Sequence, residues 1–183
     1  VSNVPNYNTQ NISLGPGVAY IGAAGTTPLT DVGAIHDDGM ELTVTREFLD
    51  VFQGSPKVLI KRFVTGETVE LTVKGIEWNL INLALALGTG VTTSSASQDT
   101  YSFGEDPDAT EVAVQVVHSM PTGHTITLRL WRSQTVGEWK TALKQGELHS
   151  FPLSFKALSS TLTWDGQQLA VGKRLFQIVR QKQ

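Results

Sequence analysis

Four stretches of this chain alternate polar and apolar residues one for one, and that period of two constrains the fold more than any other feature. They are Glu41–Thr45 (ELTVT), Thr68–Lys74 (TVELTVK), Thr125–Leu130 (TITLRL) and Ser150–Lys156 (SFPLSFK). Successive side chains of a strand point to opposite faces, so each stretch predicts a strand with one buried and one wet face. Threonine recurs on the wet faces, where its branched Cβ suits a pleated surface. Glu111–His118 reads as a more apolar strand, Leu175–Val179 as another, and Val18–Ile21 as a short one after the turn Gly15-Pro16-Gly17.

One segment breaks the period. Leu80, Leu83, Ala84 and Leu87 fall at i, i+3, i+4 and i+7, the spacing of one helical face, with Asn79 as N-cap and Gly88 just past the end. A helix of about 79–87 is too short to stand alone in water and must pack its leucines on the sheet. Trp139–Gln145 is a second candidate for a turn or two of helix. The expected fold class is mainly β: a sandwich or barrel with one short flanking α-helix.

Residues 1–14 are polar, rich in Asn and unpatterned, and read as an N-terminal arm. Residues 15–183 read as a single β domain, long enough to bury a core of its own. Gly22–Gly39, with Thr27-Pro28 and Asp37-Asp38-Gly39, has the chemistry of a loop. So has 88–100 (GTGVTTSSASQDT), an insertion within the domain. No internal repeat is present.

No catalytic, metal or cofactor signature emerges. The 183 residues include no cysteine, so disulfides, thiolate zinc sites and cysteine nucleophiles are excluded together. His36, His118, His124 and His149 have no histidine partner at metal-binding spacing. His36-Asp37-Asp38-Gly39 reads as a turn rather than a cation site. Gly104–Glu111 gathers four carboxylates, but Pro107 and the missing sixth-position glycine argue for an acidic turn over a calcium loop. Gly15-x-Gly17 does not extend into a dinucleotide fingerprint, and neither a phosphate loop nor a nucleophile elbow occurs. With a net charge of −3 there is no basic field to hold nucleic acid. Charged residues make up 17% against roughly 25% in an average soluble domain, which suits a surface buried against partners. No apolar run is long enough for a membrane span and the N-terminus is not a signal peptide, so the chain reads as a soluble, non-catalytic protein made in a cytoplasm.

Arg46–Gly66 (REFLDVFQGSPKVLIKRFVTG) asks for a partner. Gln53-Gly54-Ser55-Pro56 is a tight turn between two strands, so the segment reads as a β-hairpin. Phe48 and Phe52 point one way, Leu49 and Val51 the other, and Val58, Leu59 and Ile60 repeat the situation on the return strand. A free ribbon with apolar side chains on both faces is an aggregation hazard. Either it lies central in the sandwich, covered by its own domain, or it projects and a neighbouring subunit covers it.

The order of these features is similar to the major tail tube protein family of long, non-contractile-tailed bacteriophages. The likeness runs from about Leu14 to about Val179: LGPGVAYIG, a loop with a Gly-Ala-Ile run, DDGMELTVTRE, the hairpin, EWNLINLALALG and GELHSFPLSFKALSS. The resemblance implies rings, usually hexameric, whose inner strands join into one continuous β-barrel. Rings would stack into a tube through a long hairpin and the terminal arms. The partners implied are further copies of the chain, a tape-measure protein, and tail terminator and tip proteins, with DNA in non-specific transit. The location implied is the virion tail, assembled in the host bacterial cytoplasm.

On this resemblance Arg46–Gly66 is the projecting, inter-ring stacking hairpin, with Phe48, Leu49, Val51, Phe52, Pro56, Val58, Leu59 and Ile60 as contact residues. With Leu42 and Val44 facing the core, Glu41, Thr43, Thr45, Glu70 and Thr72 become the candidate lumen residues. Lumens in the family tend to be acidic, from which Lys74 departs. The alternative is a carbohydrate- or protein-binding β-sandwich of a phage or bacterial surface, whose mark would be clustered exposed aromatics. Trp78, Trp131, Trp139 and Trp164 are dispersed in sequence.

Overall fold

The computed structural model describes residues 15, 17–77, 79–88, 90–104, 110–121, 123–136, 140, 145, 146 and 149–181. The N-terminal arm at 1–14, most of the helix expected at Trp139–Gln145, Trp78 and Trp139 lie outside the described residues, as do 105–109 of the acidic turn.

Among the described residues the chain forms β1 (Val18–Ala23), β2 (Thr30–Asp31), β3 (Ile35–Gln53), β4 (Val58–Gly75), α1 (Leu80–Leu87), β5 (Val91–Ser94), β6 (Asp99–Ser102), β7 (Val112–Ser119), β8 (Thr125–Thr135), β9 (Phe151–Ala157) and β10 (Phe176–Gln181). The fold is mainly β and sandwich-like, with antiparallel pairing throughout. The main sheet runs β2-β1-β7-β8-β9-β4-β3, with β10 also on β8, and β5 and β6 pair apart from it.

β8 is where the sheet divides. Its first half holds β7 on one edge and β10 on the other, so Leu130 faces both Val114 and Phe176. Its second half, Ser133–Thr135, pairs with β9. Between them the register on β7 jumps, with Val112 opposite Ser133 and Val114 opposite Leu130. The extra residue lets Leu130 and Ser133 both point into the core, and the Ser133 hydroxyl donates to the Val112 carbonyl at 2.9 Å. The sequence period stops at Leu130 for that reason, while the strand itself continues.

The core is the shared inner face of these strands. Ala19 and Ile21, Val69, Leu71 and Val73, Val112, Val114 and Val116, Leu130, and Phe151, Leu153 and Phe155 are buried together. Each set alternates along its strand, as the pattern requires. Gly75 ends β4 where the Phe151 ring lies: a Cβ there would sit 2.8 Å from Cε2 of Phe151.

α1 closes one end. Leu83 is 6% exposed in the core, and Leu80 and Leu87 pack against it, with Ala84 half-buried. The Leu83 amide donates to the Asn79 carbonyl at 2.9 Å, placing Asn79 at the helix start. Gly88, at φ +69, ends the helix; a Cβ there would also lie 2.8 Å from the Thr110 carbonyl oxygen. The helix thus runs Leu80–Leu87, with Leu80, Leu83 and Leu87 on the core.

Two loop expectations need correction. Within 88–100, β5 and the start of β6 form a small hairpin, with Val91 opposite Ser102 and Ser94 opposite Asp99. Within Gly22–Gly39, β2 pairs with β1, and β3 begins at Ile35 with irregular pairing before Met40. Neither segment alternates: β2 and β5 are fully exposed, and 22–39 reaches the core through isolated residues such as Val32 and Ile35 rather than through every second one.

Candidate functional site: a two-faced ribbon

β3 and β4 are the longest strands, and only part of each belongs to the sandwich. β4 pairs with β9 over Glu70–Gly75; outward from there its one strand partner among the described residues is β3. Beyond Thr45 the two strands run on as a ribbon, roughly 27 Å at about 3.4 Å per residue. Gly54, at φ +92, opens the turn, which contains a cis Ser55–Pro56 bond.

Cross-strand partners share a face, so the register assigns the side chains. Phe48 with Val64, Asp50 with Arg62, and Phe52 with Leu59 make one face. Leu49 with Phe63, Val51 with Lys61, and Gln53 with Val58 make the other. Register shifts leave Thr65 and Ile60 as extra residues on β4. Phe48, Leu49, Phe52, Val58, Leu59, Ile60, Phe63 and Val64 are 45–60% exposed. Val51 is half-buried and Pro56 is exposed. The ribbon projects; it is not central in its own sandwich. Phe63 and Val64 belong to the surface as well, and extending the alternation through Lys61-Arg62 would have found them.

The polar side chains on the ribbon are organised. Arg62 forks onto Asp50, Nε to Oδ1 at 2.6 Å and Nη2 to Oδ2 at 2.9 Å, and stacks 4.9 Å above the Phe48 ring. The hydrogen bond from Arg62 holds the Asp50 carboxyl below the usual range. On the opposite face the Lys61 ammonium sits 4.5 Å over the Phe63 ring. At the root, Arg46 pairs with Glu67 at 2.9 Å.

Glu41 faces Thr72, Thr43 faces Glu70 and Thr45 faces Thr68, so the candidate lumen residues do share one side of the sheet. All are exposed except Thr72, which is half-buried and shares a 3.0 Å hydrogen bond with Ser154. Lys156 lies opposite Glu70, and Lys74 binds Asp38 at 2.8 Å, lowering the Asp38 pKa. This side is polar and nearly charge-balanced. Leu42 is half-buried as expected, but Val44 is 46% exposed on the edge strand although its partner Val69 is buried. Val44 borders a recess of about 370 Å³ at the ribbon root, together with Arg46, Glu67, Val171, Leu175 and Phe176. β3 is the last strand of the sheet, with its outer edge unpaired among the described residues.

Trp131 and Trp164, remote in sequence, meet edge to face with centroids 5.0 Å apart, and the Trp164 indole donates to the Trp131 carbonyl at 3.2 Å. Trp131 is 4% exposed, so this pair is a packing contact rather than an open aromatic platform. Among the described residues no group of His, Cys, Asp and Glu is placed to hold a metal ion, and no helix is long and apolar enough to cross a membrane. No protein-family model matches the chain, and no curated protein sequence matches it.

Proposed function

We propose that this chain is a non-catalytic structural subunit of a phage tail tube, assembling with copies of itself into stacked rings around a channel for DNA. The observation that carries the reading is the ribbon: two apolar faces standing clear of the subunit that made them. A two-stranded ribbon is marginal in water, and exposed apolar area on this scale marks an interaction surface. The unpaired β3 edge supports the same reading, since a neighbouring strand added there would extend the sheet around a ring.

In this arrangement the ribbon reaches along the tube axis to the next ring. Glu41, Thr43, Thr45, Glu70 and Thr72 face the channel, and a lining without excess positive charge lets DNA pass without being gripped. Six subunits per ring, tape-measure, terminator and tip proteins as partners, assembly in the host cytoplasm and a final place in the virion tail follow from the family resemblance. Electron microscopy of the purified protein tests the proposal. Uniform hollow tubes or stacked rings are expected; a monomer that persists at high concentration and across salt conditions overturns it.

A further inference from the structure

We infer that a recess beside Trp131 is a binding site for a neutral saccharide of one or two sugar rings. No ribbon residue lines it, so the site stands or falls apart from the tube reading. The recess measures about 420 Å³, and its lining includes Glu111, Trp131, Arg132, Ser159, Thr161 and Trp164. That volume lies within the roughly 300–1,000 Å³ of small-molecule sites. One wall is the segment after β9, and main-chain hydrogen bonds tie it down. The Leu158 amide donates to the Arg132 carbonyl, the Thr163 amide to the Gln167 carbonyl and the Leu169 amide to the Thr161 carbonyl, each at 2.8 Å. The wall is therefore formed before any ligand arrives, which lowers the cost of binding.

Trp131 carries the argument. The indole N–H of Trp164 has the Trp131 carbonyl as its acceptor, whereas the N–H of Trp131 itself is buried without one. Trp131 is 4% exposed. Buried donors are nearly always paired, because an unpaired one gives up its bond to water and gains nothing in return. An oxygen atom seated against Trp131 supplies the missing acceptor.

Charge selects the class of ligand. Arg132 forks onto Glu111, and its Nη1 donates to the Ser159 carbonyl at 3.4 Å. Among the described residues no other charged side chain lines the recess, so an anion or a cation meets no unpaired partner there. Ser159 and Thr161 are exposed and bring hydroxyls that both donate and accept, the chemistry of a sugar hydroxyl. Leu162, 45% exposed on the same wall, offers an apolar contact to the C–H side of a ring. The tryptophan pair is packed, so the sugar is held by hydrogen bonds rather than by stacking on an open indole. A peptide main chain fits less well, since the wall's Thr161, Thr163 and Leu169 main-chain groups already pair within it.

Ligand-observed saturation-transfer NMR on the whole chain tests the site, with maltose and diacetylchitobiose as probes and acetyl-tetraalanine amide as the peptide comparison. Saturable transfer to at least one sugar is expected, with a Kd of about 1–10 mM. Transfer to diacetylchitobiose alone assigns the acceptor to an acetamido carbonyl, and transfer to maltose assigns it to a hydroxyl; either supports the site. Trp131→Phe keeps an aromatic ring without the N–H and is expected to weaken binding about fivefold, the loss of one neutral hydrogen bond. Should that variant not fold, Ser159→Ala combined with Thr161→Val changes only exposed hydroxyls and is expected to weaken binding by a similar factor. Transfer to neither sugar at ~10 mM leaves water as the acceptor and overturns the inference. Transfer to the peptide alone overturns it too, as does unchanged affinity in folded Trp131→Phe or, failing that, in the double variant.

Discussion

Glu111 and Arg132 show how single residues tie this fold together. Glu111 lies just before β7 and Arg132 within the irregular part of β8, and their side chains form an ion pair. The hydrogen bond from Arg132 is the main cause that lowers the Glu111 pKa below its ordinary value. A lowered carboxyl pKa means that the folded state favours the ionised form. Its contribution to stability is complete above the ordinary carboxylate range and is lost as pH falls through the lowered value. Glu111→Gln is therefore expected to lower Tm modestly near neutrality and to converge on the wild-type Tm as pH falls below about 4, measured by thermal unfolding of both proteins across pH. Such pairs were not legible beforehand. Glu111 and Arg132 stand 21 residues apart, and Asp50 meets Arg62 only because two bulges set the ribbon register.

At the scale of elements, α1 and the ribbon make opposite demands. Leu83 fills the core, so Leu83→Ala is expected to cost about 2–4 kcal/mol in chemical unfolding. Phe52 is half exposed at the far end of the ribbon, so Phe52→Asp should leave unfolding free energy within ~0.5 kcal/mol of wild type. The same change should abolish particle formation. Global unfolding by Phe52→Asp would mean that the ribbon is an internal part of the fold. Both elements could be read from spacing, because helical period and strand period each reflect a face to be covered. The β5–β6 hairpin could not, since nearly all its side chains are exposed and it is held by main-chain pairing. Its signal was turn chemistry: the Ser95 hydroxyl accepts the Gln98 amide at 3.1 Å and donates to the Gln98 carbonyl at 3.0 Å.

For the whole molecule, the type of force at the ribbon sets the response to solvent. Its faces are apolar and its main ion pair is closed within the subunit. Raising salt from ~0.05 to ~0.5 M screens exposed charges while leaving apolar burial unweakened. Light scattering is expected to show assembly unchanged or promoted by salt. Assembly that dissolves at high salt would place the dominant contacts on charged surfaces instead, such as the turn at Lys57.

Local period was enough to predict the alternating strands of the main sheet, the helix α1 and the two-faced character of Arg46–Gly66, because burial of a face is written into residue spacing. Whether the second apolar face of that ribbon met its own core was a different matter. It depended on where β9 stops pairing with β4, on the division of the sheet at β8, and on the bulges that fix which side chains share a face. Those are contacts between segments far apart in the chain, and local period carries no information about them. The meeting of Trp131 with Trp164 belongs to the same class, since only the folded chain brings the two rings within contact distance.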